Sequence, residues 1–131
     1  MKPVDVDKLK EIAEIEFDEI VANAEITDIN ELRIMLKEGS FIDVWFSLKL
    51  EGRYSYHWER KAIAGTIYRH DNAPHKRWEH IETFPKHFHN GSEADEDCEE
   101  SYISEEPEEA LREFLRFAEE RLSLEKGDNS E

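Results

Sequence analysis

From Ile42 to Leu50 every second residue is apolar: Ile42, Val44, Phe46, Leu48 and Leu50. A period of two puts all of them on one face of an extended strand, which a helix cannot do. Glu51-Gly52 reads as a hairpin turn, and Tyr54, Tyr56 and Trp58 then alternate with Ser55, His57 and Glu59 in another strand. This hairpin commits the middle of the chain to an antiparallel sheet with one buried face. Upstream, Leu32, Ile34 and Leu36 alternate in the same way. Residues 19–27 carry Ile20, Ala22, Ala24 and Ile26 on one face, with a helix continuing to Ala24 as the competing reading. Lys37-Glu38-Gly39-Ser40 is a turn signal, and Ala64-Gly65 turns the chain into a short strand over residues 66–69.

Helices are predicted at both ends. Val6, Leu9, Ala13 and Phe17 recur at spacings of three and four, with Asp5 or Asp7 as N-cap, giving a helix over residues 5–16. Pro107 suits the first turn of a second helix, whose apolar stripe is Leu111, Phe114, Leu115, Ala118 and Leu122. Residues 70–91 contain Pro74, Pro85 and Gly91 and little period, so they read mostly as an ordered functional loop, with a short strand over 81–84 as an option. Residues 92–100 read as an acidic, mobile stretch. The expected fold class is α+β: an N-terminal helix, an antiparallel meander of four to five strands and a C-terminal helix packed on the sheet. Residues 1–124 form a single domain and residues 125–131 a polar tail.

Composition narrows the function. The chain has 131 residues, 33 acidic against 17 basic, and a formal net charge of -16. That charge argues against general binding to nucleic acid or to an anionic membrane. No apolar run approaches a membrane helix, and the acidic N-terminus does not resemble a signal peptide. The single cysteine, Cys98, excludes an internal disulfide and fits a reducing cytoplasm. Its acidic neighbours should raise its pKa, which argues against a catalytic thiolate. The charge is unevenly spread. Residues 1–52 are net -7 and residues 92–131 net -12, whereas residues 53–91 are net +3 and hold all six histidines.

Cleavage of a phosphodiester without metal needs a general base, a general acid and cations on the phosphate. The run Arg69-His70-Asp71-Asn72-Ala73-Pro74-His75-Lys76-Arg77-Trp78 supplies all of these residue types. Asp71 could orient a histidine. Metal binding is the competing reading: His87-x-His89 would present two imidazoles on one face of an extended segment, with His75, His80 or Asp71 as third ligand. Tyr54, Tyr56 and Trp58 could stack on bases or form the core face of their strand. No phosphate-cradling glycine loop, nucleophile elbow or dinucleotide fingerprint is present.

The stretches Tyr54-Ser55-Tyr56-His57-Trp58-Glu59-Arg60, Gly65-Thr66-Ile67-Tyr68-Arg69-His70-Asp71-Asn72-Ala73-Pro74-His75 and Glu82-Thr83-Phe84-Pro85-Lys86-His87-Phe88-His89 resemble the TumE family, small toxins of prokaryotic toxin–antitoxin modules. The resemblance extends over about residues 40–122, including Ile103-Ser104-Glu105-Glu106-Pro107-Glu108-Glu109-Ala110. It implies a growth-inhibiting toxin held by a cognate antitoxin with a helix-turn-helix domain. The layout is also similar to the helix-plus-meander fold of RelE-like toxins, which cleave RNA without metal, an analogy of fold alone. The expected function is therefore a cytoplasmic toxin acting as a metal-independent ribonuclease. His57, Asp71, His75, His87 and His89 are the expected catalytic residues, and Trp58, Arg69, Asn72, Lys76 and Arg77 the expected substrate-binding ones. No metal or other cofactor is expected; the partners are the antitoxin and RNA, with no membrane. The alternative is a non-catalytic or metal-binding protein of unknown target.

Overall fold

The computed structural model describes residues 3–129. The chain begins with α1 (Val6–Glu16), and Asp5 caps it by accepting a hydrogen bond from the Lys8 amide at 3.1 Å. Seven strands follow: β1 (Val21–Asp28), β2 (Glu31–Leu36), β3 (Phe41–Phe46), β4 (Tyr54–Arg60), β5 (Thr66–Asp71), β6 (His87–Gly91) and β7 (Cys98–Glu100). A short helix, α2 (Lys61–Ala64), links β4 to β5, and α3 (Pro107–Asn129) closes the chain. Every strand pairs antiparallel with its neighbour in sequence, in the order β1 to β7. The α+β meander between two helices is as expected, with seven strands rather than four to five.

The inner face of the sheet carries the core. Burial alternates strictly along β2, β3 and β4, and Ile34, Ile42, Val44, Tyr56 and Trp58 point inward. Leu9, Ile12, Leu111, Phe114 and Leu115 of α1 and α3 cover them. Phe117 meets Trp58 and Tyr68 edge-on at ring distances of 6.2 and 5.2 Å. Trp58 has 0% exposure, and its indole N–H donates to Ser40 Oγ at 2.8 Å. His70 is also an inner-face residue. It stacks on Phe88 at 4.2 Å and shares a 2.7 Å hydrogen bond with Ser101 Oγ. Burial, reinforced by the nearby Lys86 charge, pulls its imidazole down to about 3.

Three local departures from the period-two pattern have physical causes. β3 ends at Phe46, and Leu48 and Leu50 are exposed in the hairpin loop. There Ser47 Oγ accepts from the amides of Lys49 and Leu50, a local bonding pattern that competes with the ladder. In β1 the register shifts between Val21 and Asn23, so Ala22 is exposed while Val21 and Ala24 are buried. Residues 81–84 form turns rather than a strand, while 87–91 and 98–100 pair into the sheet. The acidic stretch thus ends in an edge strand, where charge discourages pairing with another chain.

α3 continues through Glu125, which the sequence pattern alone places in the tail. Buried Arg60 donates from Nη1 and Nη2 to Glu125 at 2.5 and 3.0 Å and from Nη2 to Glu38 at 3.0 Å. These bonds fasten the far end of α3 to β4. No described helix is long and apolar enough to cross a membrane.

Arg60→Ala should destabilise the protein by about 2–3 kcal/mol in urea unfolding; this is below the loss expected for a fully buried pair because water can resolvate the two glutamates. His70 generates a pH dependence. Its native pKa lies below the unfolded value, so the unfolded chain takes up a proton that the native one refuses. Its contribution is complete above pH ~6.5 and declines by about 1.4 kcal/mol per pH unit as the pH falls toward about 3. Urea titrations at pH 7, 5 and 4 should show this slope in the native sequence and a slope smaller by one proton in His70→Gln.

Candidate functional site

The two helices leave the outer face of the sheet uncovered, and the site lies there. Alternation sends Ser55, His57 and Glu59 of β4 outward. Register then fixes their neighbours: His57 pairs with Arg69, Ser55 with Asp71, Arg69 with His89, and Asp71 with His87. Asp71, His87 and His89 therefore converge because adjacent strands cannot place them otherwise. The connection from β5 to β6 folds back over them. Its anchors are Trp78 and Ile81, both buried, and Trp78 lies 5.5 Å from the His87 ring and 5.6 Å from the His89 ring.

His87 is 1% exposed and His89 3% exposed. His87 Nδ1 is 3.0 Å from the carbonyl oxygen of Pro85, which can only accept, so that nitrogen carries a proton. Its Nε2 faces Asp71 Oδ1 at 3.1 Å. Both ring nitrogens thus meet acceptors, while a neutral imidazole has one N–H. His89 Nε2 is 3.9 Å from Asp71 Oδ2, beyond hydrogen-bonding distance, and its Nδ1 is buried without a partner. Burial, with the Arg69 charge beside it, brings the His89 imidazole down to about 4, so the ring is neutral near pH 7.

Asp71 is the hub. Its Oδ1 accepts from the Ala73 amide at 3.0 Å and its Oδ2 from Arg69 Nε at 3.1 Å. Burial opposes its charge, but the His87 contact, the Ala73 amide and Arg69 outweigh that and hold the carboxyl at about 2. Arg69 Nη1 reaches Glu93 at 2.9 Å and His57 Nδ1 at 3.3 Å. A guanidinium only donates, so His57 accepts there and its Nε2–H faces Glu59 Oε1 at 3.0 Å. Asp71, His87 and His89 each offer a donor atom within 4.8 Å of the others, which makes them a potential three-ligand metal set.

A cleft of about 210 Å³ opens above this cluster. Among the expected site residues it gathers Arg69, Asp71, His75, Arg77, His87 and His89. His75 and Arg77 are exposed at its rim. His57 lies beside the cleft, tied to it through Arg69. Trp58 faces the opposite side of the sheet in the core, where a base cannot stack on it. Asn72 holds backbone: its Oδ1 accepts from the Tyr54 amide at 3.0 Å and its Nδ2 donates to the Gly52 carbonyl at 2.7 Å. Lys76 is exposed outside the cleft lining.

Sequence reasoning missed Arg53 and Trp45 as cleft residues and gave Trp78 no assigned role. Trp45 carried a signal, since it alternates with Val44 and Phe46 and must point outward. Trp78 ends the Arg69–Trp78 run singled out in the sequence, but its burial against His87 and His89 depends on how the loop folds. Cys98 lies beside His89 in the register, and burial together with Asp71 and Asp95 raises its thiol to about 11.

No curated protein and no solved structure gives a significant match to this chain. A family model does: the one described as Toxin TumE matches residues 6–122, which include every strand, all of α1 and most of α3. With most of its length covered by that match, the chain belongs to the TumE toxin family.

Proposed function

We propose that this chain is the toxic partner of a cytoplasmic toxin–antitoxin pair and that it acts by cleaving RNA at the outer-face cleft. One observation carries the reading. In a chain of net charge -16, the cleft is lined by three arginines, Arg53, Arg69 and Arg77, against a single carboxylate, Asp71. Neither Arg53 nor Arg77 pairs with a carboxylate among the described residues. Unneutralised guanidinium groups are suited to phosphate, which they bind through paired N–H groups. Trp45 offers an aromatic surface at the same cleft.

The chemistry follows from these positions. A ribose 2′-hydroxyl attacks the adjacent phosphorus, the bond to the 5′-oxygen breaks, and a 2′,3′-cyclic phosphate and a 5′-hydroxyl result. His75 on the rim takes the proton of the attacking hydroxyl. Arg53 and Arg77 hold the phosphate as its charge redistributes. The second proton transfer, to the leaving 5′-oxygen, falls to His87, without metal, because the His89 ring is neutral near pH 7 and has no proton to give readily. His87 lines the same cleft. The antitoxin, with a helix-turn-helix domain, would silence the protein by binding it.

His75→Ala should lower cleavage by roughly 100-fold or more and relieve growth inhibition, with an unchanged circular dichroism spectrum. Full toxicity in that variant overturns the assignment of His75. Arg53→Glu with Arg77→Glu should weaken binding to single-stranded RNA and lower the log–log salt slope by about 0.7 for each phosphate that is no longer neutralised. If the native protein cleaves no RNA from total cellular extracts, the ribonuclease reading fails and a non-catalytic binding toxin takes its place.

A further inference from the structure

We infer that Asp71, His87 and His89 form a binding site for one divalent transition-metal ion of the zinc class. The inference goes beyond the ribonuclease reading and does not depend on it; an ion on His87 would take that ring out of the metal-free proton transfer, so the bound ion would mark an inactive form of the proposed ribonuclease.

Two imidazoles and one carboxylate are a ligand set that zinc and its neighbours accept, leaving further positions open. Here the set comes from two paired strands. His87 and His89 are two residues apart on one face of β6, and Asp71 is the direct partner of His87 on β5. Their donor atoms lie within 4.8 Å of one another. A tetrahedral ion at ~2.1 Å from each ligand needs donors about 3.4 Å apart. Asp71 Oδ1 and His87 Nε2 are at 3.1 Å and Asp71 Oδ2 and His89 Nε2 at 3.9 Å, on either side of that spacing, with one carboxylate oxygen toward each ring.

Hydrogen bonding points the same way. The Pro85 carbonyl accepts from the Nδ1–H of His87, which leaves Nε2 facing the Asp71 carboxylate at 3.1 Å. A cation between that nitrogen and the carboxylate can replace a proton between them. A backbone carbonyl orienting the far nitrogen is also how metal-bound histidines are usually held. The His89 ring makes no hydrogen bond among the described residues, although it is 3% exposed. The buried atom without a partner is Nδ1, and Nε2, the nitrogen toward Asp71, is likewise held by no protein hydrogen bond, so nothing in the described residues competes with an ion for it. Trp78 packs against both imidazoles and restricts their rotation. The competing cation is Arg69, which holds Asp71 Oδ2, but its own charge is shared with Glu93. The local set of Asp71, Glu93 and Arg69 remains net negative.

The test is titration of untagged, EDTA-stripped full-length protein with Co²⁺ and Zn²⁺, without RNA. Calorimetry should give one site per chain, and Co²⁺ should produce the visible absorption of a four- or five-coordinate ion, displaced by Zn²⁺. His75→Gln with His80→Gln changes only exposed histidines and should leave both signals intact. His89→Gln or Asp71→Asn should weaken binding by at least about 100-fold, more than the roughly 10–100-fold that removal of a supporting partner costs. Absence of a stoichiometric site in the native protein overturns the inference. So does disappearance of the site in the His75/His80 variant, which needs no change at the cluster and is expected to fold. If His89→Gln or Asp71→Asn does not fold, these two results still decide the matter.

Discussion

The rule on which everything else depends is that one face of the sheet is closed by the helices. Tyr56, Trp58, Tyr68 and Phe88 cannot face water while Phe114 and Phe117 pack against them. Because side chains alternate along a strand, that burial also decides what points the other way. A slip of one residue in β5 or β6 would drive Asp71 and His87 into an aromatic core and expose Tyr68 and Phe88. The positions of the polar cluster are thus enforced by apolar packing on the far side of the backbone. The cluster does not have to stabilise its own arrangement.

This separation explains how the fold tolerates buried polar groups. His87 and His89 belong to a smaller layer made by Trp78 and Ile81, set over the outer face. Asp71 is kept ionised by the amide of Ala73 and by Arg69, a hydrogen-bonding environment independent of the main core. The inner-face histidine, His70, shows the contrast. It is stacked on Phe88, hydrogen-bonded to Ser101 and held neutral, so it behaves as an aromatic core residue. Adjacent residues in sequence, His70 and Asp71, therefore serve unrelated purposes because they lie on opposite faces.

β2, β3, β4 and both terminal helices are readable from the sequence because each has a regular apolar pattern, whereas β1, with its register shift, stays ambiguous with a helix and β5 is marked by the Ala64-Gly65 turn rather than by its own pattern. The candidate cleft is legible there in part: residues 53–91 concentrate histidine and positive charge and supply all of its lining except Trp45. β6 is not readable: His-Phe-His-Asn-Gly has Phe88 alone to mark its inner face, and its buried outer-face residues are histidines. β7 is hidden by three residues of acidic composition at a sheet edge. The same gap prevents the sequence from choosing among the histidines. Only the pairing of β5 with β6 selects Asp71, His87 and His89, and only the loop fold separates them from His75 and His80. Trp58 reads as a substrate residue because an aromatic strand residue has the same local pattern whether it faces a ligand or a core.

Charge is where the linear description and the folded one part most clearly. Along the chain, a net positive middle lies between two acidic blocks. In space, the third block is not separate from the site: Glu93 neutralises part of Arg69, and β7 lies alongside β6 with Cys98 opposite His89. Much of the remaining acidic excess is in α3, on the inner side of the sheet, while Asp43 on the outer face lies opposite His57 and is bound by Arg33. At physiological ionic strength a surface charge is screened beyond about 8 Å, so distant carboxylates weigh less on the cleft than Arg53 and Arg77 within it. If the cleft takes RNA as proposed, the polyanion would meet only weak, screened repulsion from the rest of the surface and would be held only where it reaches the cleft arginines. Such a surface disfavours indiscriminate adsorption to nucleic acid.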